Sequence, residues 1–554
     1  MRQAWLVGRA LRARRGGQRT ARPAFPSPVT DVLLCLTALA GAALLTSCAH
    51  LPSVGPNFKK PDAPKDSGYA PSPIPPETSS ATNAADGAAQ RFVSGQDIPF
   101  DWWKAFDCPA LNTLVEKALR QNDSITAAWA AVRQAQEYVY AQQGYYYPTL
   151  DADYNVTSQQ VAGNVASSTA PGIQGNGRAI TAYQNTTPPY NQSLSWTMHV
   201  AQLMVGYTPD IFGLNRRTVE SLDAQTAVQR FALDAAYITL ASTVVGTAIQ
   251  EASTRSQIDA AEKIIAANVK ALDILRAQRK LGYASDLDVD GQEAALEQAQ
   301  QMLPPLQKQL EQTRDLIRAL VDNLPSQEVE ETFQFSSLHL PKDLPLSLPS
   351  TIIRQRPDVR AAEEQMRTAN ALVGVAVANR LPVVTLTGSL SKTATTIPQL
   401  FNAGSGGWSL AGDLSQPIFE GFTLLHRQRA ADQALIQAAA QYRSTVVSAF
   451  QNVADTLHAL ESDADALKAA AAAEHTAKHA FDLTTRQHQL GYCNYLTLLS
   501  AEEAYDQAVI ATVQAQATRY ADTAALFEAL GGGWWNRAEL AATQPSTQAQ
   551  MTSK

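Results

Sequence analysis

Cysteine, methionine and histidine are scarce in this chain of 554 residues, at four, six and eight copies. Those counts leave no disulfide framework, no Cys-x-x-Cys motif and no methionine cluster for soft metal ions. His475 and His479 share a helix face at i, i+4 spacing. They lack the third ligand and intervening glutamate of a zinc helix and read as surface histidines. No Gly-x-Ser-x-Gly occurs, and no Ser/His/Asp or Cys/His set has the local context of a nucleophilic site. The glycine-rich stretch from Pro171 to Gly177 lies in a long polar loop, not between a strand and a helix, which excludes a phosphate cradle. The sequence asks for no cofactor, no metal and no reaction. A net basic charge is also lacking beyond the first 47 residues. Seven arginines against Asp31 give that segment +6, so the chain at −7 becomes −13 without it. A polypeptide this acidic is a poor partner for nucleic acid. Long apolar runs are missing after Cys48; none reaches the ~20 residues of a membrane helix. A membrane crossing has to be made by strands.

The N-terminus has its own logic. Arg2, Arg9, Arg12, Arg14, Arg15, Arg19 and Arg22 precede an apolar run from Val32 to Leu45, which is short and wrongly flanked for a membrane span. Residues 1–47 read as a signal peptide. Leu45-Thr46-Ser47-Cys48 resembles the lipobox of bacterial lipoproteins, which implies that Cys48 is lipidated and becomes the new N-terminus. Ala49 in place of an acidic residue favours passage to the outer membrane. Cys35 leaves with the leader, so Cys108 and Cys493 remain, and whether they meet is open.

From Pro52 to about Gln96 the chain is rich in Pro, Ala, Ser and Thr, as in an extended or mobile tether. A second Pro-rich stretch, Pro341 to Pro349, divides the rest into halves that match each other. Asn122 to Leu150 aligns with Arg356 to Val384 without gaps, pairing Arg133 with Arg367 and Pro148 with Pro382. Asp210-Ile211-Phe212 answers Pro417-Ile418-Phe419, and Leu281-Gly282-Tyr283 answers Leu490-Gly491-Tyr492. This is an internal duplication. The domains expected are a leader over 1–47, a lipidated tether over 48–100, repeat one over 101–325, a linker over 326–350, repeat two over 351–534, and a flexible tail over 535–554.

Each half predicts helix, strand, strand, long helix, tight turn, helix. Leu150, Ala152, Tyr154 and Val156 alternate with Asp151, Asp153, Asn155 and Thr157; Leu194, Trp196, Met198 and Val200 alternate with Ser193, Ser195, Thr197 and His199. Val384, Leu386 and Leu390, and then Trp408, Leu410 and Leu414, form the apolar faces of two more strands. About ten residues suffice for a tilted barrel strand. Four strands cannot close a barrel, so several chains must share one. Beyond Phe212 a helical pattern runs almost unbroken to Leu281, roughly 100 Å at 1.5 Å per residue. Gly282 and Gly491 sit where such helices turn back. Pro304-Pro305 should break or kink the returning helix, with a belt of shorter helices around that point.

These features resemble the TolC-like outer-membrane efflux factors, in their lipoprotein (NodT-type) branch. The resemblance rests on Val54-Gly55-Pro56-Asn57-Phe58, Trp102-Trp103-Lys104-Ala105-Phe106, Arg356-Pro357-Asp358-Val359, Asn494-Tyr495-Leu496-Thr497-Leu498-Leu499 and Ala529-Leu530-Gly531-Gly532-Gly533-Trp534. It implies a mixed fold, with four strands per chain and twelve per homotrimer in a shared outer-membrane β-barrel that continues into a long α-helical periplasmic tunnel. It also implies a passive exit duct for drugs and toxic organics, anchored by lipid in the outer membrane. Its partners would be a periplasmic adaptor and an inner-membrane pump, typically proton-driven. The adaptor would meet the hairpin tips at Leu281, Gly282, Tyr283, Leu490, Gly491 and Tyr492. Leu496, Ser500 and Glu503 fall on one helix face and form the expected gate, with Glu503 as its acidic ring. Thr497 and Ser500 stand where relatives often carry gating aspartates, and Asp288 matches a family acidic position. A type I protein-secretion duct of the same fold and a periplasmic structural lipoprotein are the alternatives. The substrate and the partner pump are not legible.

Overall fold

A computed structural model describes residues 53–62, 68–70, 74–161, 172–173, 179–180, 194–347 and 349–537. The leader, Cys48 and residues 538–554 lie outside the described residues. Strand β1 (Arg91–Ser94) is followed by a 3₁₀ turn over Trp102–Phe106, then α1 (Pro109–Gln121) and α2 (Asp123–Gln143). The Asn122 side chain caps α2, accepting from the Ser124 N–H at 2.9 Å. Next come β2 (Thr149–Val161), the two-residue strands β3 (Gly172–Ile173) and β4 (Ala179–Ile180), and β5 (Leu194–Tyr207). Helix α3 (Leu214–Lys280) has 67 residues and α4 (Asp286–Leu320) has 35. The linker carries β6 (Asp343–Leu346) and α5 (Pro349–Gln355). The second half repeats the first: α6 (Pro357–Ala378), β7 (Val383–Ala394), β8 (Gly406–Ser415), α7 (Thr423–Gln489, 67 residues) and α8 (Tyr495–Ala529, 35 residues).

The repeat is closer in structure than in sequence. Starts at 123 and 357 set α2 and α6 apart by 234. Starts at 214 and 423 set α3 and α7 apart by 209, and the same 209 separates α4 from α8. The match of Asp210-Ile211-Phe212 to Pro417-Ile418-Phe419, at 207, is therefore off by two. Gly213, not Phe212, is the residue that pairs with Phe422: both precede their helices at positive φ, +83° and +66°.

Four strands form one antiparallel sheet in the order β2-β5-β7-β8. Side-by-side partners share a face. Ala152, Leu203, Leu390 and Trp408 line up across the sheet on one face, as do Leu150, Val205, Gly388 and Leu410. Asp153, Gln202, Ser391 and Gly407 line up on the other. The apolar face expected for β5 needs correction. Met198 and Val200 pair with Thr157 and Asn155 and so join the polar face, while Ala201, Leu203 and Val205 carry the apolar one. The phase of apolarity switches midway along β5, and only pairing reveals it.

Several elements fix the chain around the middle of the long helices. Trp102 stacks on Phe527 at 5.1 Å, Phe106 on Tyr520 at 6.3 Å, and Phe335 packs against Tyr520 at 5.4 Å. Each fully buried large side chain contributes about 1.5–3 kcal/mol. Leu344 of β6 and Val244 and Val245 of α3 belong to the same core. The described parts of the tether and linker are thus packed structure, which corrects the expectation of a mobile tether there. β1 pairs in parallel with β6. Buried Arg519 donates to the Gln90 side chain at 3.2 Å and the Ala88 carbonyl at 2.7 Å. Further upstream, Arg217 donates to the Val54 carbonyl at 3.0 Å and the Asn57 side chain at 2.7 Å. At the other end Arg537 is buried and pairs with Asp234 at 3.2 Å, so residues 535–537 do not belong to a loose tail.

Two other expectations fail. Of the break or kink expected at Pro304 and Pro305 the break does not occur, since α4 continues through both; the belt forms without an interruption. Helix α3 does contain an 18-residue window of mean hydropathy 1.4, long and apolar enough for a membrane. Over half of it is buried inside the protein, where belt packing explains it.

Candidate functional site at the hairpin tips

Both hairpins turn by the same device. Gly282 and Gly491 adopt φ of +81° and +78°, which a side chain disfavours. Tyr283 N–H then donates to the Gln278 carbonyl and Tyr492 N–H to the Gln487 carbonyl, both at 2.9 Å, closing the helix ends. The returning helices are capped in kind. Ser285 and Asp288 form a reciprocal capping box at the start of α4, and Asn494 accepts from the Thr497 N–H at 2.9 Å at the start of α8. Hydrogen bonds from the Ser285 hydroxyl and N–H hold the Asp288 carboxyl below its ordinary value, with His488 adding to the effect. Asp288 and Thr497 are repeat equivalents at offset 209: Asp288 completes a capping box with Ser285, whereas Thr497 donates its N–H and hydroxyl to the capping Asn494 side chain.

Packing behind the turns joins three helices. Leu272 and Leu275 of α3, Val289 of α4, and Tyr495 and Leu499 of α8 make a small buried cluster. A polar pair sits inside it: Gln292 donates to Asn268 at 2.8 Å, and the Tyr495 hydroxyl donates to Gln292. Arg279 to Asp286 at 2.7 Å and Arg276 to Glu293 at 3.2 Å tie α3 to α4. Phe481 stacks on Tyr505 at 6.0 Å between α7 and α8.

The structure brings the named residues into two groups. Leu281, Tyr283, Leu490 and Tyr492 are 71–82% exposed at the tips. Two bare apolar side chains thus stand at each turn. Leu496, Ser500 and Glu503 lie along one exposed face of α8, about 100° around the helix from the buried face of Tyr495, Leu499 and Glu502. Glu502 therefore does not solvate an outer face. Burial raises its carboxyl, and burial together with Glu502 and Glu503 pushes Asp506 up to about 7. Sequence reasoning did not count Leu287 among the gate residues, although the repeat match pairs it with Leu496; it is 80% exposed. The offset at Gly282 and Gly491 was the signal that would have found it. It also missed Gln292 and Tyr495, whose polar groups give no periodic trace. Cys108 is buried under the belt and Cys493 sits at the second tip; both are free thiols. Among the described residues no cluster of His, Cys, Asp and Glu is arranged to hold a metal.

Comparisons with known proteins point one way. The family model described as Outer membrane efflux protein matches residues 114–322 and 348–532, one block in each half. The pyoverdine export outer membrane protein OpmQ of Pseudomonas putida is 26% identical over 78% of this chain and 88% of its own length. The toluene efflux pump outer membrane protein TtgI of Pseudomonas putida is 26% identical over 77% of this chain and 86% of its own. The solved outer-membrane channel OprN superposes with a TM-score of 0.73 at 24% identity, covering 87% of this chain and 99% of that one.

Proposed function

The chain belongs to the outer membrane efflux protein family, and on that premise we propose that it is the exit duct of a three-part pump. The carrying observation is the join of a sheet with one apolar face to two 67-residue helices. The sheet suits a bilayer, and helices of roughly 100 Å suit the periplasm. Because four strands are too few to close, three copies share a twelve-stranded barrel. Lipid on Cys48 anchors each copy. The tips at Leu281, Gly282, Tyr283, Leu490, Gly491 and Tyr492 receive a periplasmic adaptor. The gate is Leu496, Ser500 and Glu503, on a helix whose start Thr497 holds in place, while Asp288 does the same for α4. Three Glu503 carboxylates around a narrow pore favour cations and repel one another, which eases opening. A proton-driven inner-membrane pump supplies the energy, and the chain catalyses no reaction. Its cargo is small organic molecules, the class to which toluene belongs.

The test has two parts. Outer-membrane fractions run without heating should give a band at trimer mass that collapses to monomer on boiling, and Cys48→Ala should abolish labelling by radioactive palmitate. In planar bilayers, Glu503→Gln should lower selectivity for potassium over chloride. A monomer at all temperatures would sink the shared barrel, and unchanged selectivity would remove Glu503 from the gate.

A further inference from the structure

Charge is spread unevenly along this acidic chain. No Asp or Glu occurs between Asp153 and Asp210, nor between Glu364 and Asp413. Those two stretches hold the far ends of the four strands, away from Tyr207 and Ser415, after which the chain enters α3 and α7. The register then sorts the charges by face. Asp151, Asp153 and Asp413 all lie on the polar face, whereas His199 and Lys392 lie on the apolar one. In the shared barrel the polar face lines the pore and the apolar face meets lipid. The strands thus send their three carboxylates inward and their lysine and histidine toward the bilayer.

Their height is set by the rows they occupy. On the apolar face Val384 pairs with Leu414, Leu386 with Gly412, Gly388 with Leu410 and Leu390 with Trp408; the next pair is Lys392 with Gly406. At ~3.4 Å per residue and ~40° of tilt, Val384 to Lys392 rises about 20 Å, most of the ~25 Å apolar band of a barrel. Lys392 therefore stands at the far boundary of the hydrocarbon, where headgroups begin and a lysine stem can lift its charge out. Its Nζ lies 5.7 Å from the centre of the Phe401 ring and makes no ion pair among the described residues. The Tyr154 hydroxyl and His199 Nδ1 are 2.8 Å apart. With the hydroxyl as donor, Nε2 keeps its proton and is left to donate elsewhere. Tyr154 and Lys392 flank Ala201 in one row. Beside Ala201 and Gly406 lies a depression of about 600 Å³, which Leu203, Leu390, Lys392 and Trp408 also line. Asp153 borders it as well, but its register assigns it to the pore face.

We propose that this depression binds the phosphorylated headgroup of an outer-leaflet glycolipid, with Lys392 and His199 donating to the phosphate and Leu390 and Trp408 lying against the acyl chains. The proposal rests on the shared-barrel reading and assigns a ligand to the barrel's outer rim. Phosphate suits the site because both polar groups are donors and no carboxylate shares their face. Register keeps both groups away from cargo in the pore.

Native mass spectrometry of the purified full-length trimer, titrated with bisphosphorylated lipid A or with the same lipid stripped of phosphate, tests this. The native protein should hold the phosphorylated lipid about tenfold more tightly or better. Lys392→Gln should cut that preference about tenfold and His199→Gln about threefold, while Lys392→Arg should keep it. Asp413→Asn, on the pore face, should change neither affinity. Equal affinity for the two lipids, or a preference that survives Lys392→Gln and His199→Gln together, would overturn the site while the trimer stands. Displacement of the lipid by millimolar inorganic phosphate would overturn the glycolipid as the ligand and leave a free-anion site. Absence of any heat-sensitive trimer in the native protein would overturn the shared barrel, and this site with it.

Discussion

Helices α3 and α7 have the same length, the same glycine turn and the same 35-residue partner helix, yet they live in different surroundings. Helix α3 has 25 buried residues distributed around its circumference, including Glu251, Thr254 and Arg217. It packs against α1, α2, α4, α6 and α8. Helix α7 has ten, in one stripe, and packs against α6 and α8 with a brief contact to α5. Duplication gave both repeats the same backbone, and position in the chain decided which became a core and which an edge. The lesson is that equal secondary structure says little about load. The belt, the linker and the N-terminal segment all lean on repeat one and the end of α8, while the second repeat keeps a bare face.

This contrast can be broken in graded ways. The largest effect should come from Trp102→Ala, which removes the ring stacked on Phe527; core truncations of this size cost about 3–5 kcal/mol, read as a lower denaturant midpoint. An alanine at Val447, 67% exposed on α7, should move the monomer's midpoint little. Next is Arg314→Ala. Arg314 bonds Glu251 at 3.0 Å and the Val329 carbonyl at 2.8 Å, pinning the linker to α4. Its loss should cost about 2–3 kcal/mol, less than a fully stripped buried pair because Arg255 still holds Glu251, and should expose the linker to protease. Gly282→Ala and Gly491→Ala should each cost about 1 kcal/mol by forcing a side chain into positive φ. Equal losses would show that the two tips remain equivalent even though the helices above them are not.

The smallest effect concerns pH. The Asp506 carboxyl, raised to about 7 by burial and by Glu502 and Glu503, binds its proton more tightly folded than unfolded. Its stabilising share is full below the ordinary carboxylate range and is lost as pH rises through about 7. Asp506→Asn should therefore stabilise the protein at pH 8, by about 1 kcal/mol after allowance for solvent screening, and leave it unchanged near pH 4. Melting curves at the two pH values check the sign.

Much of this was legible beforehand, and the reasons differ by element. The long helices announced themselves because almost no breaker interrupts residues 214 to 280. Three strands showed their faces by simple alternation. The fourth, β5, did not, because Met198 and Val200 are apolar yet lie on the face of Asn155 and Thr157. The packed tether was hidden for another reason: Pro- and Ala-rich composition reads as loose, and nothing local shows that Arg519, more than 400 residues away, clasps Gln90 and Ala88. At the tips the glycines and the exposed Leu and Tyr residues were visible, while the cap role of Asp288 and the bond of Thr497 to the capping Asn494 emerged only from geometry.

The most direct measurement is drug susceptibility in a strain stripped of its own outer-membrane ducts, with this chain expressed beside its cognate adaptor and pump. Restored resistance to small hydrophobic toxicants, lost again when the gene is omitted, is the expected result. An outer-membrane trimer that leaves the strain fully sensitive would contradict the role of exit duct for small molecules.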